Sequence, residues 1–477
     1  HVGSRRPAVE PALVHVLPAC ALLAMTLCRI ALFLVSALVH PSSARLGQSR
    51  QPFLVKLWKE HARSNKSDVN ATKEKVVDHG GGYFVGSLLL GSPTPQELHV
   101  VFSTTTGMVS LPSSNCSSAA CKEHTRYSPC KSQTSMDVQR NGLPVDPNGG
   151  RFAPEGAERD TASLGFYTAG SSEGDSTGLE GNFVRERVCM GDRLGNAGKA
   201  DPACAKVVMV VATTIQAQTF ASRPQDGLVG LGLQGLSMGP QFNILNQLGA
   251  EGMQKMFGFF VEDDAKNAEL VFGGMDRERL AAPLAWVPVV TPELGHWLLE
   301  ITGVRVGSQL LSMCQAPQRC RGLVDTGSPG ITMPEGLAPE LDELIKPKQE
   351  GGKGCALPEL TLELSGGVSL TLRVEDYAGP RCEPEIRTHH FGQFIVGGQL
   401  FLLGEPVLRR YYTVFDWGKE RLGFGMANVE RSCQRLHVAG LPTGPGDCQG
   451  EVGPLEDELF MLEQEQGVTL RRNKQET

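Results

Sequence analysis

Short apolar segments separated by glycine and proline residues dominate the chain between about residues 80 and 430. Segments of four to eight residues bounded by turn residues are typical of β-strands, whereas long helices need a longer apolar period. The pattern therefore predicts a mainly β protein with one short helix at 240–248. Strands of the first half are predicted at 83–86, 88–93, 99–102, 182–184, 207–212, 256–261 and 270–272.

The strand pattern repeats in the second half of the chain. Residues 297–306 lead toward Asp325 as residues 83–102 lead into Ser103, and the two loops read FSTTTG and VDTGSP. Self-similarity at a long period indicates a duplicated structural unit. We therefore expect two related lobes with equivalent loops, of which the second carries a carboxylate and the first a hydroxyl.

Chain length and charge agree with this organisation. At 477 residues the chain exceeds one ordinary domain and fits two lobes with appended segments. Its formal net charge is -7, and its lysines and arginines are scattered. Because nucleic-acid-binding surfaces are usually basic, we expect no nucleic-acid partner. We also expect the protein to be a monomer.

The N-terminal segment contains an apolar stretch at residues 12–39. A short basic segment beginning at Met25, an apolar run and small residues after it predict a secretory signal peptide within residues 1–44. An uncleaved membrane anchor is the alternative, although Arg29 inside a span costs roughly 2.5–3.5 kcal/mol. Both interpretations predict the secretory pathway, with secretion, an acidic vesicle or membrane anchoring as the destination.

The cysteine content also indicates an oxidising compartment. The chain has 13 cysteines, and structural disulfides form along the secretory route. Asn65, Asn70 and Asn115 begin Asn-X-Ser/Thr sequons, which predict glycosylation on that route.

Changes in composition divide the chain into predicted regions. Residues 45–79 are basic and polar with a small apolar core at 53–58, so a removable prosegment over an acidic cleft and a flexible linker both stay open. Residues 132–178 are rich in Gly, Ser, Asp and Pro and predict a long surface insertion. The full division is a signal peptide at 1–44, a prosegment or linker at 45–79, a first β lobe at 80–275, a second β lobe at 276–430 and a polar acidic tail at 431–477.

Taken in order, the motifs resemble those of pepsin-family aspartic proteases over most of residues 80–430. The resemblance rests on Asp-Thr-Gly-Ser at 325–328, on DGLVGL at 226–231 and FLLG at 401–404, and on RYYTVFD at 410–416. A lone Asp-Thr-Gly is weakly specific, but the ordered set is highly specific.

The resemblance implies an all-β, bilobal acid protease fold, with two lobes related by a pseudo-twofold axis and a central cleft for an extended peptide or protein ligand. In such a cleft two carboxylates share a proton: the ionised one activates water while the other donates to the peptide carbonyl. By resemblance Asp325 is the catalytic carboxylate, and Thr104, Thr326, Gly327 and Ser328 support the cleft. No cofactor is implied.

The resemblance also implies two small disulfide loops, Cys116 with Cys121 and Cys314 with Cys320. Cys355 and Cys382 form a further close pair in the sequence. The partners of the remaining body cysteines stay open; these are Cys130, Cys189, Cys204, Cys433 and Cys448.

The chain departs from the family pattern at three positions. Ser103 stands where the family has its first aspartate, Thr105 replaces a glycine, and Ser110 replaces a tryptophan. A hydroxyl near pH 5 is neither a base nor a charge that raises a neighbour's pKa, so we expect Asp325 to titrate as an ordinary carboxylate. A β-branched Thr105 fits poorly if the turn needs a positive φ. Loss of a general acid–base partner lowers a rate by roughly 10²–10⁴-fold, which predicts an impaired or inactive protease.

Family members cover the cleft with a tyrosine on a β-hairpin, and both Phe166 and Tyr167 are candidates for that flap position. If Phe166 aligns there, the hydroxyl is lost as well. The predicted function is therefore an aspartic endopeptidase homologue that binds peptides and hydrolyses them poorly or not at all. The alternatives are an active endopeptidase in which another group substitutes for Ser103, and a non-enzymatic interaction scaffold that uses residues 132–178.

Two further motifs predict no site. Gly-Leu-Ser-Met-Gly at 235–239 matches a serine hydrolase pattern, but no ordered histidine partner follows it convincingly. Adjacent His389 and His390 point to opposite faces of a strand and have no third ligand at a suitable spacing, so we expect no metal.

Overall fold

The computed structural model describes residues 50–61, 82–166, 177–191, 204–216, 218–262, 265–315, 320–345, 356–379, 382–389 and 399–428. The predicted signal or anchor segment, Tyr167, Cys355, His390 and the tail at 431–477 lie outside these residues.

Two sheets contain the strands of the described residues, which confirms the mainly β class and the pepsin-like architecture. The larger has 14 strands in the order β12-β22-β21-β10-β11-β1-β2-β3-β9-β4-β8-β7-β5, and β6 pairs with β7. Its strands are β1 (Phe53–Glu60), β2 (Tyr83–Leu90), β3 (Gln96–Ser103), β4 (Val109–Pro112), β5 (Met136–Asp137), β6 (Thr161–Phe166), β7 (Thr177–Met190), β8 (Cys204–Ile215), β9 (Gly227–Gly230), β10 (Met256–Val261), β11 (Asn267–Phe272), β12 (Ala285–Pro288), β21 (Tyr411–Asp416) and β22 (Arg421–Met426).

The smaller sheet has 8 strands within the described residues, in the order β18-β17-β13-β15-β20-β16-β19, and β14 pairs with β13. Its strands are β13 (Leu298–Val306), β14 (Gln309–Leu310), β15 (Cys320–Val324), β16 (Ile331–Pro334), β17 (Leu360–Leu364), β18 (Ser369–Leu372), β19 (Ile386–His389) and β20 (Gln399–Leu403).

The helices are short and lie between strands. The α-helices are α1 (Ala119–Lys122), α2 (Gln218–Ala221), α3 (Ile244–Ala250), α4 (Ala338–Leu344), α5 (Val374–Tyr377) and α6 (Glu405–Arg410). Single 3₁₀ turns lie at Pro129–Lys131, Gln234–Leu236, Pro240–Phe242, Arg277–Arg279, Pro292–Leu294, Glu335–Leu337 and Ser365–Gly367. The helix predicted at 240–248 is thus a 3₁₀ turn followed by α3, because the Asn243 side chain caps α3 by accepting a hydrogen bond from the Asn246 amide at 3.0 Å.

The duplication expected from the sequence is visible in the strand pairing. In the larger sheet β9 runs parallel to β3 and antiparallel to β4, and β4 runs parallel to β8. In the smaller sheet β20 runs parallel to β15 and antiparallel to β16, and β16 runs parallel to β19. Strands β3, β9 and β4 of the larger sheet therefore pair in the same way as β15, β20 and β16 of the smaller sheet.

Glycine is required where β9 and β20 pass beneath the loops. A Cβ atom at Gly230 would lie 2.3 Å from the Met108 amide nitrogen, and one at Gly404 would lie 2.4 Å from the Gly330 carbonyl oxygen. No side chain fits at such distances, so glycine alone permits the backbones to approach this closely. This packing explains the apolar-apolar-Gly sequences at 228–230 and 402–404.

The main hydrophobic core joins strands from both halves. Trp297 is 0% exposed, and its indole N–H donates to the Leu231 carbonyl at 2.9 Å. Phe415 contacts this ring edge-on at 5.2 Å and stacks on Phe257 at 4.5 Å. Burying an aromatic side chain contributes about 2–3 kcal/mol. Strands β12, β21 and β22, which lie in the predicted second lobe, belong to the larger sheet. The lobe boundary between residues 275 and 276 stays a prediction.

Strand β1 lies within the segment 45–79. It pairs with β11 from Phe53 opposite Phe272, and with β2 from Trp58 opposite Val85. Alternate residues Val55 and Leu57 are buried while Leu54 is exposed, which is the pattern of a strand with one face on a core. Removal of this segment from the mature protein stays a prediction.

The expectation of a surface insertion at 132–178 is wrong for two parts of it. Strands β5 and β6 belong to the larger sheet, and Val138 and Ala162 pack with Phe183 in a second hydrophobic cluster. The composition misled because these apolar residues are few and widely spaced, so no run of them marks a strand.

Disulfides link neighbouring segments of both halves. Cys116 bonds to Cys121 and Cys314 bonds to Cys320, as the resemblance implied, and Cys189 bonds to Cys204 between β7 and β8. Cys382 is also disulfide-bonded. Cys130 is exposed and unbonded. In the described part of the chain, no helix has the length and apolar character needed to cross a membrane.

Candidate active site

Ser103 and Asp325 occupy equivalent positions in the two halves. Ser103 is the last residue of β3, and its carbonyl accepts a hydrogen bond from the Leu231 amide at 2.8 Å. Asp325 follows the last residue of β15, and its amide donates to the Leu403 carbonyl at 3.0 Å. Each residue therefore stands where a strand enters its loop, beside the strand that passes beneath.

The two loops are joined by reciprocal hydrogen bonds. The Thr104 hydroxyl donates to the Val324 carbonyl at 2.7 Å, and the Thr326 hydroxyl donates to the Phe102 carbonyl at 2.6 Å. Both threonines are buried, at 0% and 4% exposure. Hydrogen bonds between neutral groups are stronger in the buried interior than at the surface, because water does not compete for the donor and the acceptor. The threonines thus hold the loops face to face.

Gly327 shows how close Ser103 lies to Asp325. A Cβ atom at Gly327 would lie 3.3 Å from Asp325 Oδ1 and 3.4 Å from Ser103 Oγ. The Gly327 amide donates to Asp325 Oδ1 at 2.8 Å. The carboxylate and the hydroxyl therefore flank one small space, which a side chain at position 327 would narrow.

The Ser103 hydroxyl is turned toward its own loop. Its Oγ lies 2.8 Å from Thr105 Oγ1 and accepts a hydrogen bond from the Thr105 amide at 3.3 Å. Thr105 is not among the residues with a positive φ, and neither is Gly327. The condition under which Thr105 would fit poorly is therefore not met, because this turn does not use the left-handed region that a β-branched residue avoids.

Asp325 does not titrate as an ordinary carboxylate. Burial raises the pKa of Asp325 from 3.8 to about 6, although the Gly327 amide and the charge of Arg223 lower it. The expectation of ordinary titration is wrong because it considered only neighbouring charges, whereas desolvation alone disfavours the ionised form.

Ser328 connects the second loop to the residues behind it. Its hydroxyl donates to the Gly330 carbonyl at 3.2 Å, and its carbonyl accepts from the Glu405 amide at 3.0 Å. Glu405 begins α6, is 6% exposed, and forms an ion pair of 2.7 Å with Lys59 of β1. Strand β1 therefore reaches the back of the Asp325 loop.

Ser110 lies in β4 behind the first loop. The residue is 4% exposed, and its Oγ has no hydrogen-bond partner among the described residues. A serine in this buried place fills less volume than a tryptophan and leaves a polar atom without a partner.

Of the two flap candidates, Phe166 is the last residue of β6. β6 and β7 pair antiparallel from Thr161 opposite Asn182 to Phe166 opposite Thr177. Tyr167 lies outside the described residues. The hairpin is in place, and the choice between the two aromatic residues stays open.

One residue that acts on the site was not found from the sequence. Arg223 acts electrostatically on Asp325, and nothing in its sequence context signals this. Within the described ranges, no group of three or more His, Cys, Asp or Glu residues is arranged to hold a metal ion.

Comparison with known proteins identifies similar sequences over most of the described residues. The sequence pattern of the family described as eukaryotic aspartyl protease matches residues 83–145 and 200–427. Cathepsin E of Rattus norvegicus is 28% identical over 373 residues, which cover 74% of this chain and 82% of the relative. Cathepsin E of Aquarana catesbeiana is 26% identical over 374 residues, covering 75% and 83%. Gastricsin of Rattus norvegicus is 27% identical over 380 residues, covering 75% and 84%.

Proposed function

Because the chain belongs to the eukaryotic aspartyl protease family, we propose that it binds peptides in a cleft at Asp325 and hydrolyses them poorly or not at all. The observation that carries this proposal is the pairing of unlike groups. A hydroxyl at Ser103 and a carboxylate at Asp325 occupy equivalent loop positions and flank one space beside Gly327.

Peptide hydrolysis at such a pair needs two proton transfers. A carboxylate at Asp325 can hold a water molecule and accept its proton, since burial raises its pKa to about 6. The Ser103 hydroxyl cannot supply the second transfer, because a hydroxyl is a poor acid at any pH at which the carboxylate titrates. Its hydrogen bonds to Thr105 engage it further. A protein that binds a peptide but lacks one of two acid–base groups loses roughly 10²–10⁴-fold in rate.

The support for peptide binding is the intact frame around the two residues. Thr104, Thr326 and the glycines beneath both loops make the contacts that hold the loops in place. On this proposal the β6/β7 hairpin covers the cleft with Phe166 or Tyr167, and residues 45–79 act as a prosegment. The disulfides agree with the oxidising compartments of the secretory pathway.

A second candidate function is active endopeptidase. The raised pKa of Asp325 favours it, because a carboxyl group with a pKa of about 6 exchanges its proton in the range in which acid–base groups work well. In that case another group supplies the second proton transfer.

The test compares peptide binding and cleavage in four proteins and one control variant. The purified wild type, Ser103→Asp, Asp325→Asn and Ser103→Asp/Asp325→Asn are assayed on a fluorogenic peptide library between about pH 3 and 7, the range in which carboxylates titrate. We expect peptide binding by the wild type and at least roughly 10²-fold faster cleavage by Ser103→Asp, which Asp325→Asn abolishes. Ser114→Asp, at an exposed position, is the matched control and should not gain activity.

Two results would overturn the proposal. Rapid wild-type cleavage that Asp325→Asn abolishes would establish the active endopeptidase instead. Absence of peptide binding in both the wild type and Ser103→Asp would leave the interaction scaffold, in which residues 132–178 make the contacts.

A further inference from the structure

Arg223 carries a positive charge beside the first loop. Its guanidinium lies over the ring of Tyr83, with 5.2 Å between the guanidinium carbon and the ring centroid. Tyr83 begins β2, and Val85 of β2 pairs with Val101 of β3, two residues before Ser103. Because β2 and β3 are antiparallel, Tyr83 lies at the end of this strand pair at which the chain enters the loop.

The same charge acts on the second loop. Burial raises the pKa of Asp325 to about 6, and the charge of Arg223 is one of the two effects that lower it. Electrostatic effects between two side chains decrease with distance and are screened by solvent, so an effect of this kind requires proximity. The guanidinium therefore lies near both loops: it contacts Tyr83 beside the first and acts on Asp325 in the second.

The backbone that carries Arg223 is held on both sides. The Arg223 amide donates to the Phe220 carbonyl at 3.0 Å, and this carbonyl also lies 2.9 Å from Nε2 of His124. The His124 side chain is 0% exposed. On the other side, the Asp226 carboxylate accepts a hydrogen bond from the His99 amide at 2.9 Å. The segment is therefore attached to neighbouring segments at both ends, which limits how far the charge can move.

The guanidinium of Arg223 has no ion pair and no side-chain hydrogen bond with any other described residue. Glu60 lies opposite Tyr83 in the pairing of β1 with β2, but its Oε1 atom accepts from the Trp58 indole N–H at 2.6 Å. The Arg223 side chain is partly exposed. A guanidinium stacked on a ring keeps its N–H donors at its edge, where their geometry matches a carboxylate. Arg223 therefore offers a planar set of donors to a ligand.

We propose that Arg223 determines specificity by binding a carboxylate of the peptide in the cleft, either an Asp or Glu side chain or the terminal carboxylate. The inference rests on the proposed peptide-binding function and names the class of peptide, which is acidic. A carboxylate at this place forms charge-assisted hydrogen bonds with the guanidinium. A Lys or Arg side chain at the same place is repelled, so the charge also excludes basic peptides.

The first experiment tests the position of the charge without any peptide. The pKa of Asp325 is measured from the carbon-13 shift of its carboxyl group in the isotope-labelled wild type, Arg223→Gln and Arg140→Gln. Removal of a nearby cation disfavours the carboxylate, so the pKa should rise in Arg223→Gln. Arg140→Gln removes the same charge at an exposed position and should leave the pKa unchanged. An unchanged pKa in Arg223→Gln would overturn the inference.

The second experiment measures the Kd of fluorescein-labelled peptides by anisotropy. The peptides carry Glu, Gln or Lys at each position in turn and end in either an amide or a free carboxylate. We expect the wild type to bind a carboxylate-bearing peptide roughly tenfold more tightly than its neutral counterpart. Arg223→Gln should lose this preference, and Arg223→Lys should keep part of it, because an ammonium keeps the charge but not the planar donors. Arg223→Glu should prefer Lys, and Arg140→Gln should behave as the wild type.

The two peptide ends distinguish the sources of the carboxylate. A preference for Glu in amidated peptides would identify a side chain, whereas a preference for the free carboxylate alone would identify the peptide terminus. Equal binding of charged and neutral peptides by the wild type, or a preference that Arg223→Gln retains, would overturn this inference alone. Absence of binding to every peptide would overturn the proposed function and this inference with it.

Discussion

Thr104 and Thr326 each accept a hydrogen bond on the hydroxyl from the backbone amide of the other, at 3.1 and 3.2 Å. Each hydroxyl also donates to the carbonyl that precedes the other loop. The pair thus forms four hydrogen bonds that cross between the halves, and none of them involves the side chain of Ser103. The frame of the site is therefore independent of the residue that departs from the family pattern.

Thr326→Val should destabilise the fold. The change removes the acceptor of the Thr104 amide and the donor to the Phe102 carbonyl, and leaves two buried backbone groups unpaired. We expect the free energy of unfolding to fall by about 2–3 kcal/mol, measured by denaturant titration. Thr302→Val is the matched control: its hydroxyl donates to the Glu363 carbonyl at an exposed position, so the change should stay within about 0.5 kcal/mol. If the two variants lowered the free energy of unfolding equally, the buried hydrogen bonds of Thr326 would not stabilise the fold more than the exposed one of Thr302.

Asp325→Asn should change how stability depends on pH. Burial raises the folded-state pKa of Asp325 from 3.8 to about 6, so the folded protein holds the proton more tightly than the unfolded chain. Below about pH 4 both states are protonated and the carboxyl carries no penalty. Between about pH 4 and 6 the wild type loses stability as pH rises, by up to about 3 kcal/mol.

Asp325→Asn should remove that loss, so denaturant titrations at pH 4 and pH 7 should diverge from the wild type only at the higher pH. Glu180→Gln, at an exposed position of β7, serves as the control. A constant difference between the wild type and Asp325→Asn across this range would show that desolvation does not act on Asp325.

Lys59→Met should leave the buried Glu405 carboxylate without its ion-pair partner. The side chains of Lys59 and Glu405 are 16% and 7% exposed, and the other oxygen of Glu405 has no partner among the described residues. Breaking one side of a buried pair costs about 3–5 kcal/mol because the remaining charge stays desolvated. Lys59→Met/Glu405→Gln should recover most of that loss in denaturant titrations.

The pair formed by Arg305 and Glu363 offers a matched control for this prediction. These side chains are 41% and 33% exposed, so Arg305→Met should cost less than about 1 kcal/mol. If Lys59→Met/Glu405→Gln were as unstable as Lys59→Met, the loss of the ion pair itself, rather than the unpaired charge of Glu405, would determine the effect.

Removing the Cys189–Cys204 disulfide should lower the melting temperature. The bond spans 15 residues between β7 and β8, and a loop of that length stabilises by about 3 kcal/mol through restriction of the unfolded chain. Cys189→Ala/Cys204→Ala should therefore unfold earlier in calorimetry. Cys130→Ala, at an exposed unbonded position, should melt like the wild type. Identical melting of the two variants would argue against a stabilising bond.

The sequence predicted the parts of the site that local patterns determine. The strands into Ser103 and Asp325 follow from the short-range apolar pattern, whereas the resemblance to the pepsin family implied the glycines beneath them and the two disulfide loops. The pKa of Asp325 could not be predicted, because it depends on burial, which long-range packing sets. For the same reason the effect of Arg223 on Asp325 was missed, because the two residues are far apart in the chain.

Strand β1 sits in the middle of the larger sheet, and it alone joins β11 to β2 along the described order of strands. Excision of residues 45–79 would therefore divide that sheet and open two unpaired strand edges, which readily capture other strands and promote aggregation. A processed form would need a replacement strand in the gap. Maturation of this protein, if the segment is cut, is consequently an exchange of strands as much as a cleavage of the chain.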